Sequence, residues 1–250
     1  MTKHFLTAVL LLMSLSVFAQ DYTQSFGFSV GYANPVMRVR SGYNSGATAL
    51  DQKTSLNGFN LSAVYETNII KGFGLQMGLN YTFGTKLGKW TKTNSALIYP
   101  RQKTDVYMHQ LNIPIDWQYK FTIAKGTYLL VYSGPTIGFG LGYSAKTKSQ
   151  NTAAQDPVVT TKNYYTIDDD QDKKIDYSRI NLTWGIGAGF QYKRYFLRGG
   201  YDFGIFNPYK DRFHDIHTGA CSNGGNGYEW NRRGRLDQWS IKIGMFIWQD

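Results

Sequence analysis

The chain has 250 residues, a net charge of +10, 16% aromatic residues, 27 glycines against 6 prolines, and one cysteine. A lone cysteine excludes an internal disulfide framework. Beyond the N-terminal segment no run approaches the roughly 18 apolar residues of a membrane-spanning helix, and mean hydropathy is −0.37, which together exclude a helical membrane protein.

Lys3 and His4 precede the apolar run Phe5 to Met13, and Val17-Phe18-Ala19 supplies the small residues of a cleavage site. This reads as a signal peptide over 1–19, leaving one domain over 20–250. No cysteine stands at the cleavage point, which argues against a lipoprotein. In an exported chain, basic residues scattered through polar connectors point to anionic lipid headgroups as partners and away from nucleic acid.

Eight runs then alternate with period two, the mark of strands whose faces meet different media. In order, their apolar faces are Phe26-Phe28-Val30-Tyr32, Phe59-Leu61-Ala63-Tyr65, and Leu75-Met77-Leu79-Tyr81-Phe83. The fourth and fifth are Leu111-Ile113-Ile115-Trp117-Tyr119-Phe121 and Leu129-Val131-Ile137-Phe139-Leu141-Tyr143. The last three are Ile180-Leu182-Trp184-Ile186-Ala188-Phe190-Tyr192, Tyr195-Leu197-Tyr201-Phe203-Ile205, and Trp239-Ile241-Ile243-Met245-Ile247. Their opposite faces are rich in Gly, Ser, Asn and Gln. That suits a narrow polar lumen and a lipid-facing exterior, whereas a soluble barrel would reverse the two.

Connections alternate as well. Asn68 to Gly72, Thr122 to Gly126 and Lys193-Arg194 are tight; Pro35 to Asn57, Thr85 to Asp105, Ser144 to Arg179 and Asn207 to Arg235 are long and polar. The pattern predicts an all-β fold: an eight-stranded antiparallel up-and-down transmembrane β-barrel, with short periplasmic turns and long extracellular loops. Trp117, Tyr119, Phe121, Tyr192 and Tyr195 would form an aromatic girdle at the turn side, and Tyr32, Tyr81, Phe83, Tyr143 and Phe203 one at the loop side. Val158 to Ile167 is β-prone within the longest loop and would extend the barrel wall as an arm.

The segments LNIPIDWQYKF, YLLVYSGPTIGFGLG, INLTWGIGAGFQY and FLRGGYDFGIFN resemble the small outer-membrane barrels of Bacteroidota, the "porin family" or PorT-like group. An L-x-I-P strand followed by a G-P-x-x-G-x-G strand carries the resemblance, from Leu111 to Pro114 and from Gly134 to Gly140. It implies a barrel in the outer membrane and no particular activity.

Lumen-facing charges are expected at Glu66, Asp116, Lys120, Arg198, Asp202 and Lys242, paired by sign because an eight-strand interior has room only for side chains. Lys86, Lys89, Lys92, Arg101, Lys103, Arg232, Arg233 and Arg235 lie near the outer rim, as candidate contacts for lipid or sugar phosphate. Asp168, Asp170 and Asp172 space oxygens like the start of a calcium loop, but Lys173 replaces the turn glycine and Arg179 the bidentate glutamate. His214 and His217, beside Asp211, Asp215 and Cys221, sit in a loop with nothing to aim them, so no metal or cofactor is assigned. The expectation is a non-enzymatic surface component contacting lipopolysaccharide or a larger envelope complex. The alternatives are a rim-sited enzyme using His214 and Asp211 and a narrow solute channel.

Overall fold

The structure, a computed structural model, describes residues 23–43, 50–70, 72–92, 100–166, 177–208, 213–215 and 229–249, with backbone alone at 39–43, 50–52, 213–215 and 229–233. Twelve strands appear among them. They are β1 (Gln24–Tyr43), β2 (Leu50–Ser55), β3 (Asn57–Ile70), β4 (Phe73–Lys86), β5 (Thr91–Lys92), β6 (Arg101–Ala124), β7 (Thr127–Gln150), β8 (Val158–Asn163), β9 (Ile180–Tyr192), β10 (Tyr195–Gly204), β11 (Phe213–Asp215) and β12 (Glu229–Gln249). Eight of these pair antiparallel in the order β12-β10-β9-β7-β6-β4-β3-β1, and β12 pairs back onto β1 from Ser25–Gln249 to Tyr43–Trp230. The ring is therefore closed, and within it no strand edge is left for hydrocarbon to strand unpaired.

Side chains are distributed inside out. Asn60, Thr82, Gln118 and Glu66 are 0–2% exposed in the interior, whereas Phe28, Leu61, Ile186 and Ile243 on the exterior are 47–60% exposed. A continuous apolar band of this kind fits lipid and not water. Tight turns join the strands at one end, where Gly72 (φ 90°), Gly126 (φ 74°) and Lys193 (φ 52°) adopt left-handed backbone. Long connections leave from the other. Turn-end aromatics include Tyr119 against Phe121 at 4.7 Å; at the loop end Tyr32 meets Trp239 at 5.0 Å and Phe59 meets Phe83 at 5.5 Å.

Two features depart from the sequence reading. Strands run far into segments expected to be loops: β6 and β7 each have 24 residues. The arm expected over Val158 to Ile167 is present in part as β8, which pairs with β7 from Ser144–Asn163 to Ser149–Val158. Beyond the apolar band both faces meet water, so the period-two signal vanishes although the hydrogen-bonded ladder continues. The second departure is Tyr143, expected in the loop-side girdle. Pairing shifts between His109–Gly142 and Gln110–Gly140, leaving Leu141 as the extra residue of a β-bulge. One inserted residue swaps the facing of everything after it. Tyr143 consequently points inward and is 7% exposed.

Candidate functional site

Within the ring, three carboxylates (Glu66, Asp116, Asp202) share the lumen with three cations (Lys120, Arg198, Lys242). Toward the turn end Lys120 donates to Glu66 and, at 2.7 Å, to Gln191 Oε1. Next along the axis comes an apolar layer of Val64, Phe196 and Phe246, which the alternation pattern alone does not announce. At mid-height Arg198 donates to Gln118 Oε1 at 2.9 Å and lies 4.2 Å from the ring centre of Tyr132. Tyr132 fits there because Gly187 and Gly200 put no side chain in its way; a Cβ at either would strike its ring. The cavity bounded by Asp116, Tyr132, Arg198, Asp202 and Lys242 leaves about 40 Å³, room for about three waters. Ser29, Gln76, Asn80 and Arg198 line it, and among the described residues Ser29 Oγ, Gln76 Nε2, Asn80 Oδ1 and Arg198 Nε have no protein partner, which makes the cavity a polar one that water suits. At the turn end the lumen widens into a vestibule of about 440 Å³ bounded by Thr23, Ser25, Asn68, Lys120, Tyr128 and Gln191.

The loop end is closed by apolar groups. Met37, Leu56, Met108, Tyr143, Tyr177 and Leu236 form a buried cluster, joined by Val106, Tyr164 and Tyr165. Tyr143 stacks on Tyr164 at 4.6 Å and meets Tyr177 edge-on at 5.3 Å. Tyr165 comes down over Gly140, where a Cβ would collide with its ring. Burial pushes the Tyr165 phenol up to about 12, and Arg179, 5.4 Å from the ring, partly opposes the shift.

Two basic clusters decorate the exterior just beyond the apolar band at the loop end. On the β1–β12 side, Asp237 is fully buried, although its position in β12 faces outward. Its Oδ2 takes Arg38 Nε at 2.9 Å and Arg235 Nε at 3.1 Å and accepts from Tyr201 Oη at 3.0 Å; its Oδ1 accepts from the Gly204 N–H at 3.0 Å. The two arginine side chains are 40% and 48% exposed and sit directly opposite each other across the strand pair. On the β6–β7 arm, Lys103 lies opposite Lys148 and Asp105 opposite Lys146. Lys103 reaches Asp105 at 3.3 Å, Lys146 lies 5.7 Å from the Tyr107 ring, and the Arg101 guanidinium 4.7 Å from Trp90.

Of the rim residues named from sequence, the structure thus brings Arg101, Lys103 and Lys92 onto the arm and Arg235 into the Asp237 cluster. Lys86 ends β4 and, like Lys89, is exposed. Arg232 and Arg233 lie in β12 opposite Ser41 and Arg40, where the description stops at backbone. Asp168, Asp170, Asp172, Asp211, His217 and Cys221 fall outside the described residues, and His214 is placed only by its backbone in β11. Arg38, Asp237, Lys146 and Lys148 were missed in the sequence. The first could have been found by carrying the alternation of β1 past Pro35 through Val36, Arg38 and Arg40.

Comparison with known proteins gives the following. The family model described as "Outer membrane protein beta-barrel domain" matches residues 18–209. Among solved structures the chain is similar to Ail, the attachment invasion locus protein of Yersinia pestis, crystallised with the heparin analogue sucrose octasulfate. That match has 13% identity over 91% of this chain and 100% of the other, at a TM-score of 0.36. It is similar too to Neisserial surface protein A (12% identity, 87% and 96% covered, TM-score 0.31) and to the N-terminal barrel domain of Pseudomonas aeruginosa OprF (13%, 85% and 97%, 0.25). No curated protein sequence matches the chain.

Proposed function

Because the chain belongs to the outer membrane protein β-barrel domain family, its place is the outer membrane, and we propose that it serves there as a non-enzymatic surface component contacting phosphorylated lipopolysaccharide. In this reading residues 1–19 are removed on export, the tight turns and both ends of the chain face the periplasm, and the loop end faces outward. The segments quoted above support placing it with the Bacteroidota porin-like barrels.

The Arg38–Asp237–Arg235 cluster carries the reading. Asp237 lies two residues beyond Trp239 on the same face, about 7 Å along the strand, so the cluster stands one step outside the Tyr32–Trp239 girdle. That is the level of lipid headgroups. The buried carboxylate stands within ion-pair distance of both Nε atoms, and the two guanidinia lie side by side with net charge +1. Two fixed guanidinia are suited to a phosphate, which accepts several charge-assisted hydrogen bonds at once. The basic face of the β6–β7 arm offers a second, looser set of phosphate contacts.

The test is binding of lipid A to the purified barrel in detergent, read by native mass spectrometry. Changing Arg38 and Arg235 together to Ala should lower retention of bisphosphorylated lipid A by about tenfold and leave retention of its dephosphorylated form unchanged. Equal retention of both lipids by native protein and variant would sink the proposal.

A further inference from the structure

Two of the tight turns are built as one unit. Lys125-Gly126 joins β6 to β7 between the paired Ala124 and Thr127, and Lys193-Arg194 joins β9 to β10 between the paired Tyr192 and Tyr195. The turns touch: Thr127 pairs with Tyr192, the Lys193 N–H donates to the Gly126 carbonyl at 2.6 Å, and the Lys193 carbonyl accepts from Gln191 Nε2 at 3.0 Å. Arg194 is tied on its other side, where its carbonyl accepts from the Phe246 N–H at 2.8 Å. Lys125, Lys193 and Arg194 thus stand on one fixed frame, and no acidic residue lies in either turn. All three are exposed, and among the described residues none of them enters an ion pair.

Lys193 holds a backbone position that glycine fills more cheaply. Its φ of 52° is left-handed, and among the described residues no other non-glycine has a positive φ; Gly72 and Gly126 take the left-handed places in the neighbouring turns. A residue kept against its backbone preference points to a role for its side chain. The level of the cluster says what that role meets. Tyr192 and Tyr195 bracket Lys193 and Arg194, and the outward face of β6 ends in Phe121 and Ile123, two residues short of Lys125. Such aromatic side chains mark the membrane interface, and cations one or two residues away, about 3–7 Å along the strand, reach its phosphate layer. The Lys193 ammonium lies 5.3 Å from the centre of the Tyr192 ring, the arrangement of a lysine whose stem covers apolar surface while its charge turns to the headgroups.

We infer that Lys125, Lys193 and Arg194 form a binding site for the phosphate headgroup of an anionic phospholipid in the leaflet at the turn end. Three cations held side by side meet one phosphate with several charge-assisted hydrogen bonds. A zwitterionic phospholipid brings an ammonium of its own into the same cluster, so the site selects for net negative charge. An acidic segment of a periplasmic protein would satisfy the same charges, but it approaches from water, whereas these cations flank a girdle that lipid already surrounds. The inference rests on the surface-component reading only in assigning the turn end to the periplasmic leaflet; it makes no use of the Arg38–Asp237–Arg235 cluster.

The experiment uses the full barrel in nanodiscs of phosphatidylethanolamine with a minority of phosphatidylglycerol, and native mass spectrometry counts the lipids that stay bound on release. Native protein should retain phosphatidylglycerol in preference. Lys193→Gly should lower that preference about fivefold, and adding Lys125→Gln and Arg194→Gln should abolish it, at about fivefold per cation. Because Lys193→Gly relieves a left-handed side chain, its barrel should be at least as stable as the native one in urea, so lost lipid is not lost fold. Lys193→Arg keeps the charge and should keep the preference. Equal retention of the two phospholipids by the native barrel overturns the inference. So does a preference that survives the triple variant, which would give the cations to a periplasmic protein, or one that falls only in the Arg38 and Arg235 variant. Loss of lipid A discrimination in that arginine variant leaves the phosphatidylglycerol readout untouched, so the two proposals fail separately.

Discussion

At Lys120 the lumen holds an ammonium whose side chain is 7% exposed, bonded to a Glu66 carboxylate that is 2% exposed. Both groups are turned away from the vestibule that Lys120 borders, and Gln191 Oε1 supplies the ammonium with a further acceptor. Removing one partner from such a pair costs about 3–5 kcal/mol, because the other is left as an uncompensated buried charge. Lys120→Met should therefore destabilise the barrel by about that amount, while Lys120→Met with Glu66→Gln should restore most of the loss. Urea unfolding in micelles, followed by tryptophan fluorescence, measures both. Single variants costing less than about 1 kcal/mol would place the pair in contact with water after all. The same logic explains why the interior carries both signs in equal number: a narrow, packed lumen tolerates charge only as neutral sets.

Elements are fixed by turn chemistry at one end and by register at the other. Gly126 needs φ of 74° in the β6–β7 turn, and Lys193 accepts φ of 52° in the β9–β10 turn. A side chain at a left-handed position costs roughly 1–2 kcal/mol. Gly126→Ala should lower the urea midpoint, and Lys193→Gly should raise it; movement of both in the same direction would mean the turns do not set barrel stability. The Gly126 turn was legible in the sequence because a glycine between two alternating runs has few other uses, and the Lys193 turn because only Lys193 and Arg194 separate two such runs. So were the eight ring strands, since lipid on one side and a packed lumen on the other impose period two on each. Tyr143 was not legible: the bulge at Leu141 is set by how β6 and β7 pair, and neither sequence alone records the inserted residue. The β8 part of the arm was legible in the β-prone run from Val158, but the outward reach of β6 and β7 was hidden for a related reason. Once water bathes both faces of β6 and β7, Lys146 and Lys148 read as loop although they are strand. The Asp237 cluster joins β1, β10 and β12, far apart in the chain, and only ring closure brings them together.

Taken whole, the molecule is a vessel open at the turn end, packed across its middle and capped at the loop end. The vestibule of about 440 Å³ narrows to about 40 Å³ at the level of Tyr132 and Arg198, and a tyrosine-rich cluster lies above that. Three barriers stand in series: the apolar layer of Val64, Phe196 and Phe246, the charged layer at Tyr132 and Arg198, and the cap. The cap excludes water because it is apolar, and the middle layer excludes ions because its own charges fill it. Their order makes the channel alternative testable in a way a single variant would not. Native protein in planar bilayers should show no steady conductance. Thinning the cap alone, with Tyr143, Tyr164 and Tyr177 changed to Ser, should leave the conductance at baseline, because the Tyr132–Arg198 layer still blocks the axis. Changing Tyr132 and Arg198 to Ser alone should do the same, because the cap remains. Only the five changes combined with Phe196→Ser and Phe246→Ser, which open the remaining apolar layer, should pass ions, and only if gel migration shows that the barrel has folded. Steady current through the native protein, or through the cap variant by itself, would make the lumen a path and shift the function from the outer surface to the interior.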